Sequence, residues 1–166
     1  TVAHQYMLTI SALTFLTFAL PFSFVVTVRV GSLLGSQDPT SACRCAIVAN
    51  SICTLGMGIL SLTMYLARNE LGKIFTNDEN VISIVAKITY IVALFQLLDG
   101  NQAVAGGTLR GIGAQKSIAL LNFFCFWCLG IPIGILIAYD TNIGVAGLWW
   151  GFTIALGCCT VIYLSL

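Results

Sequence analysis

The sequence predicts an all-α, polytopic transmembrane helix bundle of about five membrane helices. Three observations predict it. Of 166 residues, 58% are hydrophobic and only 8% charged, with a mean hydropathy of +0.99; a soluble domain carries roughly 25% charged residues. The apolar residues gather into five runs, each at or beyond the ~20 residues a membrane helix needs. Short polar breaks rich in turn residues separate them. Strands of a membrane barrel fit less well, because those alternate lumen and lipid faces over about 10 residues, whereas these runs are longer and do not alternate.

The runs cover approximately residues 7–34, 42–66, 81–109, 118–139 and 145–166. The first break, GSQDPTS (35–41), contains Pro39, which suits a helix start. The second, RNELGKIFTNDEN (68–80), holds an interfacial Phe75, and its Thr76-Asn-Asp-Glu79 fits a capping box opening the third helix. RGIGAQK (110–116) and YDTNIG (139–144) are the remaining breaks. Pro21 and Pro132 fall inside the first and fourth runs, where each removes a backbone hydrogen bond and marks a structural kink or a hinge. Small residues four apart recur at Gly31/Gly35, Gly107/Gly111, Gly130/Gly134 and Gly147/Gly151, a pattern that lets membrane helices pack closely.

Orientation follows from Lys and Arg near the breaks. The first and third breaks share a side with Arg29, Arg44, Arg110 and Lys116 against one acid, Asp38. The other side holds Arg68, Lys73 and Lys87 with Glu70, Asp78, Glu79 and Asp140. The first side is therefore expected to be cytoplasmic. The chain begins at a threonine, and both ends read as cut, so a fragment of a longer chain is expected. With a net charge of +1 and no basic tract, no nucleic-acid partner is implied. The seven cysteines fall in or at the edge of apolar runs and read as packing residues, Cys125-x-x-Cys128 included, not as a disulfide or metal framework.

One stretch stands out. Leu97–Gln115, LLDGNQAVAGGTLRGIGAQ, places Asp99 inside an otherwise apolar run. A charge at membrane depth costs about 2.5–3.5 kcal/mol on insertion scales, so such a group has a partner, a proton or a cargo ion. On a helix, Gln96, Asp99, Gln102, Ala103, Gly106 and Arg110 form one polar or small stripe that should face a cavity or the bundle interior. Asp99 is the proton- or cation-coupling candidate, and Gln96, Gln102, Gly106 and Trp127 are the candidate substrate pocket. Arg110 lies ~16 Å from Asp99 along the axis and is expected to snorkel to the headgroups. Asn101 points away from Asp99 and should bond another helix, as should Asn122. Trp149 and Trp150 fit an interfacial belt, and His4 is read into an outer loop with no role. No nucleophile elbow, phosphate loop, zinc pair or paired carboxylate occurs, so nothing argues for an enzyme, a catalytic residue, a metal or a cofactor.

Five stretches carry a resemblance. ALPFSFVVTVRVGSLLGSQDP (19–39) is similar to the proline-containing helix and following loop of multidrug and toxic compound extrusion (MATE) antiporters, with Ser32, Ser36 and Gln37 where Asn, Ala and Gly are usual. KIFTNDENV (73–81), LLDGNQAVAGGTLRGIGAQKSIALLN (97–122), GIPIGILIAY (130–139) and GVAGLWWGF (144–152) resemble later stretches in family order, in the eukaryotic type. The resemblance implies a twelve-helix exporter in which residues 1–166 form a partial C-terminal lobe, helices eight to twelve. The N-terminal lobe and helix seven would be missing parts of the same protein. It implies small-molecule cargo, organic cations or other amphiphilic metabolites and xenobiotics, exchanged for H⁺ or Na⁺ across the bilayer. Asp99 occupies the place of the family's acid before G-G-x-L-R-G, while a helix-eight acid falls near Ala12. The alternatives are a lipid-linked precursor flippase of similar fold, which calls for a cationic cavity, and a non-transporting remnant or scaffold subunit.

Overall fold

The structure is a computed structural model that describes residues 2–74, 78–140 and 145–165, with the side chains of residues 2, 3, 140 and 145 set aside. Five helices are long and apolar enough to cross a membrane: His4–Gly35, Pro39–Leu66, Glu79–Gly111, Gln115–Tyr139 and Ala146–Ser165. They are referred to below as the first to fifth spans. The first four spans begin two or three residues before their apolar runs, because helix starts are built from polar caps that hydropathy passes over.

Pro39 occupies the first turn of the second span, and Asp38 caps it by accepting from the Ser41 amide at 3.0 Å. Hydrogen bonds from Ser41, side chain first and backbone second, hold the Asp38 carboxyl below its usual range. The third span opens at Glu79 with Asp78 as its cap, accepting from the Asn80 amide at 2.9 Å. Thr76 of the expected capping box, like Phe75 and residues 141–144, lies outside the described residues. The second break is more ordered than a plain loop: Arg68–Leu71 is a short helix and Gly72–Ile74 a 3₁₀ turn, with Lys73 paired to Glu70 at 2.9 Å.

The first and fourth spans share an irregularity. Phe15–Ala19 and Phe124–Gly130 are π-helical, and the first residue after each bonds five residues back, Leu20 to Phe15 and Ile131 to Phe126. In both cases proline follows one residue later, at Pro21 and Pro132. Proline lacks an N–H and its ring collides with the carbonyl four residues earlier. A widened turn just ahead shifts that carbonyl aside. The two prolines anticipated as kinks are thus accommodated by the same device.

The third span is the hub, packed against the first, second and fifth. One apolar cluster joins the first three spans through Ala19, Val26, Cys53, Met57 and Val104, all 2% exposed or less. Glycines set the closest approaches. A Cβ at Gly107 would lie 2.6 Å from the Ser23 carbonyl oxygen, and one at Gly111 2.8 Å from that of Thr27. The fourth and fifth spans meet glycine to glycine: a Cβ on Gly151 would stand 2.5 Å from the Gly134 Cα, and one on Gly147 2.5 Å from the Ala138 nitrogen. Three of the four glycine pairs read from the sequence make such contacts at both members; Gly35 meets nothing within 4 Å.

Candidate functional site

Asp99 sits on the hub helix, half-buried, where two hollows meet. The larger, about 390 Å³, is lined by His4, Phe95, Asp99, Phe126, Trp149 and Phe152 with three leucines. The smaller, about 270 Å³, is lined by Leu8, Ser11, Ala12, Phe15 and Asp99. Among the described residues the Asp99 carboxyl has no ion-pair partner. It therefore faces a largely aromatic chamber that also holds the His4 imidazole, without an ion pair to it. Aromatic faces attract cations through their quadrupole, most strongly where water is excluded.

The aromatic wall is braced. Trp149 donates from Nε1 to His4 Nδ1 at 3.1 Å and stands edge-on to Phe95, with ring centroids 5.1 Å apart. Both π-helical stretches reach this site, Phe15 into the smaller hollow and Phe126 into the larger. Ala12, where the resemblance puts a further acid, lines the smaller hollow, so this chain meets Asp99 there with a methyl group.

The four residues expected to wall the pocket are placed elsewhere. Gln96 is 0% exposed, enclosed within the bundle. Gln102 donates from Nε2 to Asn122 Oδ1 at 3.1 Å, and Tyr163 donates to the same oxygen at 2.8 Å, so Asn122 links the third, fourth and fifth spans. Gly106 is buried against the Tyr163 ring. Trp127 is 65% exposed, stacked on Phe123, outside the lining of either hollow. The stripe parts because the hub helix has neighbours on several sides: Gln102 meets the fourth span, Gly106 the fifth, and Ala103 and Arg110 the first.

Three other expectations are corrected. Arg110 does not snorkel: it turns back into the bundle and donates from Nη2 to Ser23 Oγ at 2.6 Å, because a hydroxyl 87 residues away offers it a partner. Trp149 is 3% exposed, a wall of the chamber and not an interfacial anchor, whereas Trp150 packs edge-on to Tyr90. His4 lies in the first span, not in a loop. Asn101 does bond another helix, taking the Thr54 hydroxyl of the second span and giving its amide to the Leu97 carbonyl. The wall residues Phe95 and Phe126 had no signal distinguishing them from other apolar positions, and only the packing reveals them.

Known proteins share this fold. The chain is 36% identical to human "Multidrug and toxin extrusion protein 1" over 140 residues, 84% of this chain and 24% of that protein. It is 33% identical to "Protein DETOXIFICATION 41" of Arabidopsis thaliana over 151 residues, 90% of this chain and 30% of that one. It thus spans about a quarter to a third of the length of these relatives. The crystal structure of the eukaryotic MATE transporter AtDTX14 superposes with a TM-score of 0.85 over 98% of this chain and 37% of that chain, at 24% identity, a likeness of fold. The family model MatE matches residues 2–136. An integral-membrane bundle whose family model covers most of its length settles the assignment: the chain belongs to the MatE family.

Proposed function

We propose that this chain is the helix-eight-to-twelve part of a secondary active exporter that expels organic cations or other amphiphilic metabolites and xenobiotics in exchange for H⁺ or Na⁺. The observation that carries the proposal is the Asp99 carboxyl facing a chamber walled by Phe95, Phe126, Trp149 and Phe152 with no basic partner among the described residues. Relatives named for multidrug and toxin extrusion support the same reading. A carboxylate amid aromatic faces holds a flat cation by charge and by ring contact. The same carboxylate, once neutralised by the coupling ion, lets it go.

In this cycle the ion enters from the side opposite Arg29 and Arg44, neutralises Asp99, and cargo departs outward. Reorientation toward the cytoplasm then discharges the ion. The proline-linked π stretches are where the walls flex, since Phe15 and Phe126 belong both to those stretches and to the hollows. The remaining lobe and helix seven of the full-length protein complete the path. A lipid-linked precursor flippase would need a cationic cavity, and the ionisable groups here are a carboxyl and a neighbouring imidazole.

The test is Asp99→Asn in the full-length protein, reconstituted in vesicles. Gradient-driven uptake of a cationic dye should fall to the level of empty vesicles while expression and detergent stability stay at the parent's level. Undiminished uptake would remove Asp99 from coupling.

A further inference from the structure

Between the first and third spans lie polar groups that the exporter reading leaves unused. Ser11 is 5% exposed and its Oγ has no hydrogen-bond partner. Gln96 is 0% exposed, and neither its Oε1 nor its Nε2 has one. Buried side-chain polar atoms are overwhelmingly bonded to protein or to ordered water. Three such atoms, on two residues close in register to one carboxyl, call for a common explanation. Ser11 lines the 270 Å³ hollow with Asp99, and Gln96 precedes Asp99 by about one helical turn on the same helix.

The register puts these groups in a row. The two spans run in parallel. Thr89 touches the Met7 sulfur, Ser23 bonds the Ala103 carbonyl and Thr27 that of Gly107, so partners are 80 to 82 residues apart. Ser11 then stands level with about residues 91–93, Gln96 lies about 4.5–7.5 Å further along the axis, and Asp99 about 4.5 Å beyond that. One molecule accepting or donating two hydrogen bonds of ~2.8 Å spans such a step.

The chemistry of Gln96 chooses the molecule. A bare metal cation would suit Oε1, Oγ and the carboxylate, but it would confront the amide Nε2–H₂ with a positive charge. Water accepts from that amide and donates to the oxygens. We propose that Ser11 and Gln96 hold a file of ordered water leading to Asp99 from the end of the bundle opposite Arg29 and Arg44, and that this file delivers the coupling proton. The inference rests on the exporter reading and deepens it by naming the ion and its route. A proton joins the outermost water, each water passes one on, and the Asp99 carboxylate takes the last. Gln96 orients the file and is chemically unchanged. The ionisable groups nearby are Asp99 and His4, which share the larger hollow, while Lys87 is exposed and Arg110 is engaged by Ser23.

The experiment uses the full-length protein in proteoliposomes, with proton flux read by an internal pH dye and exchange driven by a tetraalkylammonium or aromatic cation. Gln96→Met keeps the side chain's bulk and removes its polar atoms; Ser11→Ala does the same for the hydroxyl. Cargo-dependent proton flux should slow at least tenfold in Gln96→Met and several-fold in Ser11→Ala. The dissociation constant for the cation and the thermal midpoint of Gln96→Met should stay at the parent's values, which a merely structural glutamine would not allow. Parent-like flux in Gln96→Met overturns the water file, as does a lowered thermal midpoint sufficient to explain the loss. If the parent exchanges its cargo for Na⁺ and not for protons, the exporter reading stands and the water file falls. If the parent exchanges cargo for neither ion, the exporter reading itself fails.

Discussion

The first and third spans touch along their whole length, yet their two halves are made differently. Toward Arg110 the interface is saturated. Ser23 donates to the Ala103 carbonyl at 2.8 Å while accepting from Arg110, Thr27 donates to the Gly107 carbonyl at 2.9 Å, and Gly107 and Gly111 bring backbone against backbone. Toward His4 the interface holds a hollow beside Asp99, and the Ser11 and Gln96 side chains lack protein partners. The π-helical stretch Phe15–Ala19 marks the change from one half to the other. The contrast teaches where the bundle is fixed and where it can work. A bilayer offers no hydrogen bonds, so a half meant only to hold completes them internally. In the proposed cycle, the half that retains unmatched groups is the half that receives a guest.

The largest effect should come from breaking the fixed half. At Gly107, valine would drive its Cβ to 2.6 Å from the Ser23 carbonyl oxygen and 2.9 Å from its hydroxyl, forcing the two backbones apart. Overpacking costs about 1–3 kcal/mol, and contact with rigid backbone belongs at the upper end of that range. Gly107→Val should therefore lower the unfolding free energy in detergent by about 3 kcal/mol. The adjacent Gly106→Ala is the control, because its Cβ would meet the Tyr163 ring at 3.5 Å and Arg110 Nη1 at 3.6 Å, both ordinary contacts. Equal losses from the two substitutions would show that the close approach at Gly107 is not what holds these helices.

A smaller loss is expected from Arg110→Met. It keeps the bulk of the stem but removes the donor to Ser23 Oγ. Hydrogen bonds between membrane helices are worth about 0.6–2 kcal/mol, and the charged donor places this one toward the top. The double-mutant cycle with Ser23→Ala isolates the pair, and a coupling energy near zero would mean the guanidinium is held by something else. Substitutions in the opposite half carry the reverse signature, with stability kept and ion exchange lost. That reversal is what makes the two halves distinguishable by experiment.

The same contrast explains what could be read in the sequence. Five spans, the hub stretch around Asp99 and the packing glycines are local or periodic features, and a window of twenty residues contains them. Asp99 was conspicuous because it is a carboxylate among apolar neighbours. The partners were not visible. Arg110 resembles any cation near a helix end until Ser23 is brought beside it, and Trp149 resembles an interfacial anchor until His4 and Phe95 enclose it. The stripe Gln96–Gln102–Gly106 was sound as helical geometry but assumed a single facing surface. A helix with neighbours on several sides divides such a stripe, sending Gln102 to Asn122 and Gly106 to Tyr163. The π stretches are not legible in the sequence, because a proline within an apolar run is met equally by a simple kink.

The smallest effect concerns a turn, and here the chain supplies its own comparison. The first and third spans end alike. Gln37 N–H bonds the Leu34 carbonyl and Asp38 N–H that of Leu33; Gly113 N–H bonds the Arg110 carbonyl and Ala114 N–H that of Leu109. Both central residues have positive φ, 90° at Gly113 and 60° at Gln37. Glycine adopts this region freely, whereas an L side chain there costs about 1–2 kcal/mol. Gln37→Gly relieves that strain but loosens the unfolded chain, which returns about 0.4–1 kcal/mol of the gain. The net is a stabilisation of about 0.5–1 kcal/mol, read as a raised thermal midpoint with proton exchange unaltered. The reciprocal Gly113→Gln should lower the midpoint by a similar amount, since nothing lies within 4 Å of a Cβ there to add a clash. If Gln37→Gly instead destabilises the bundle, the glutamine side chain is making a contact that outweighs its backbone strain, and the two helix ends are alike in hydrogen bonding only.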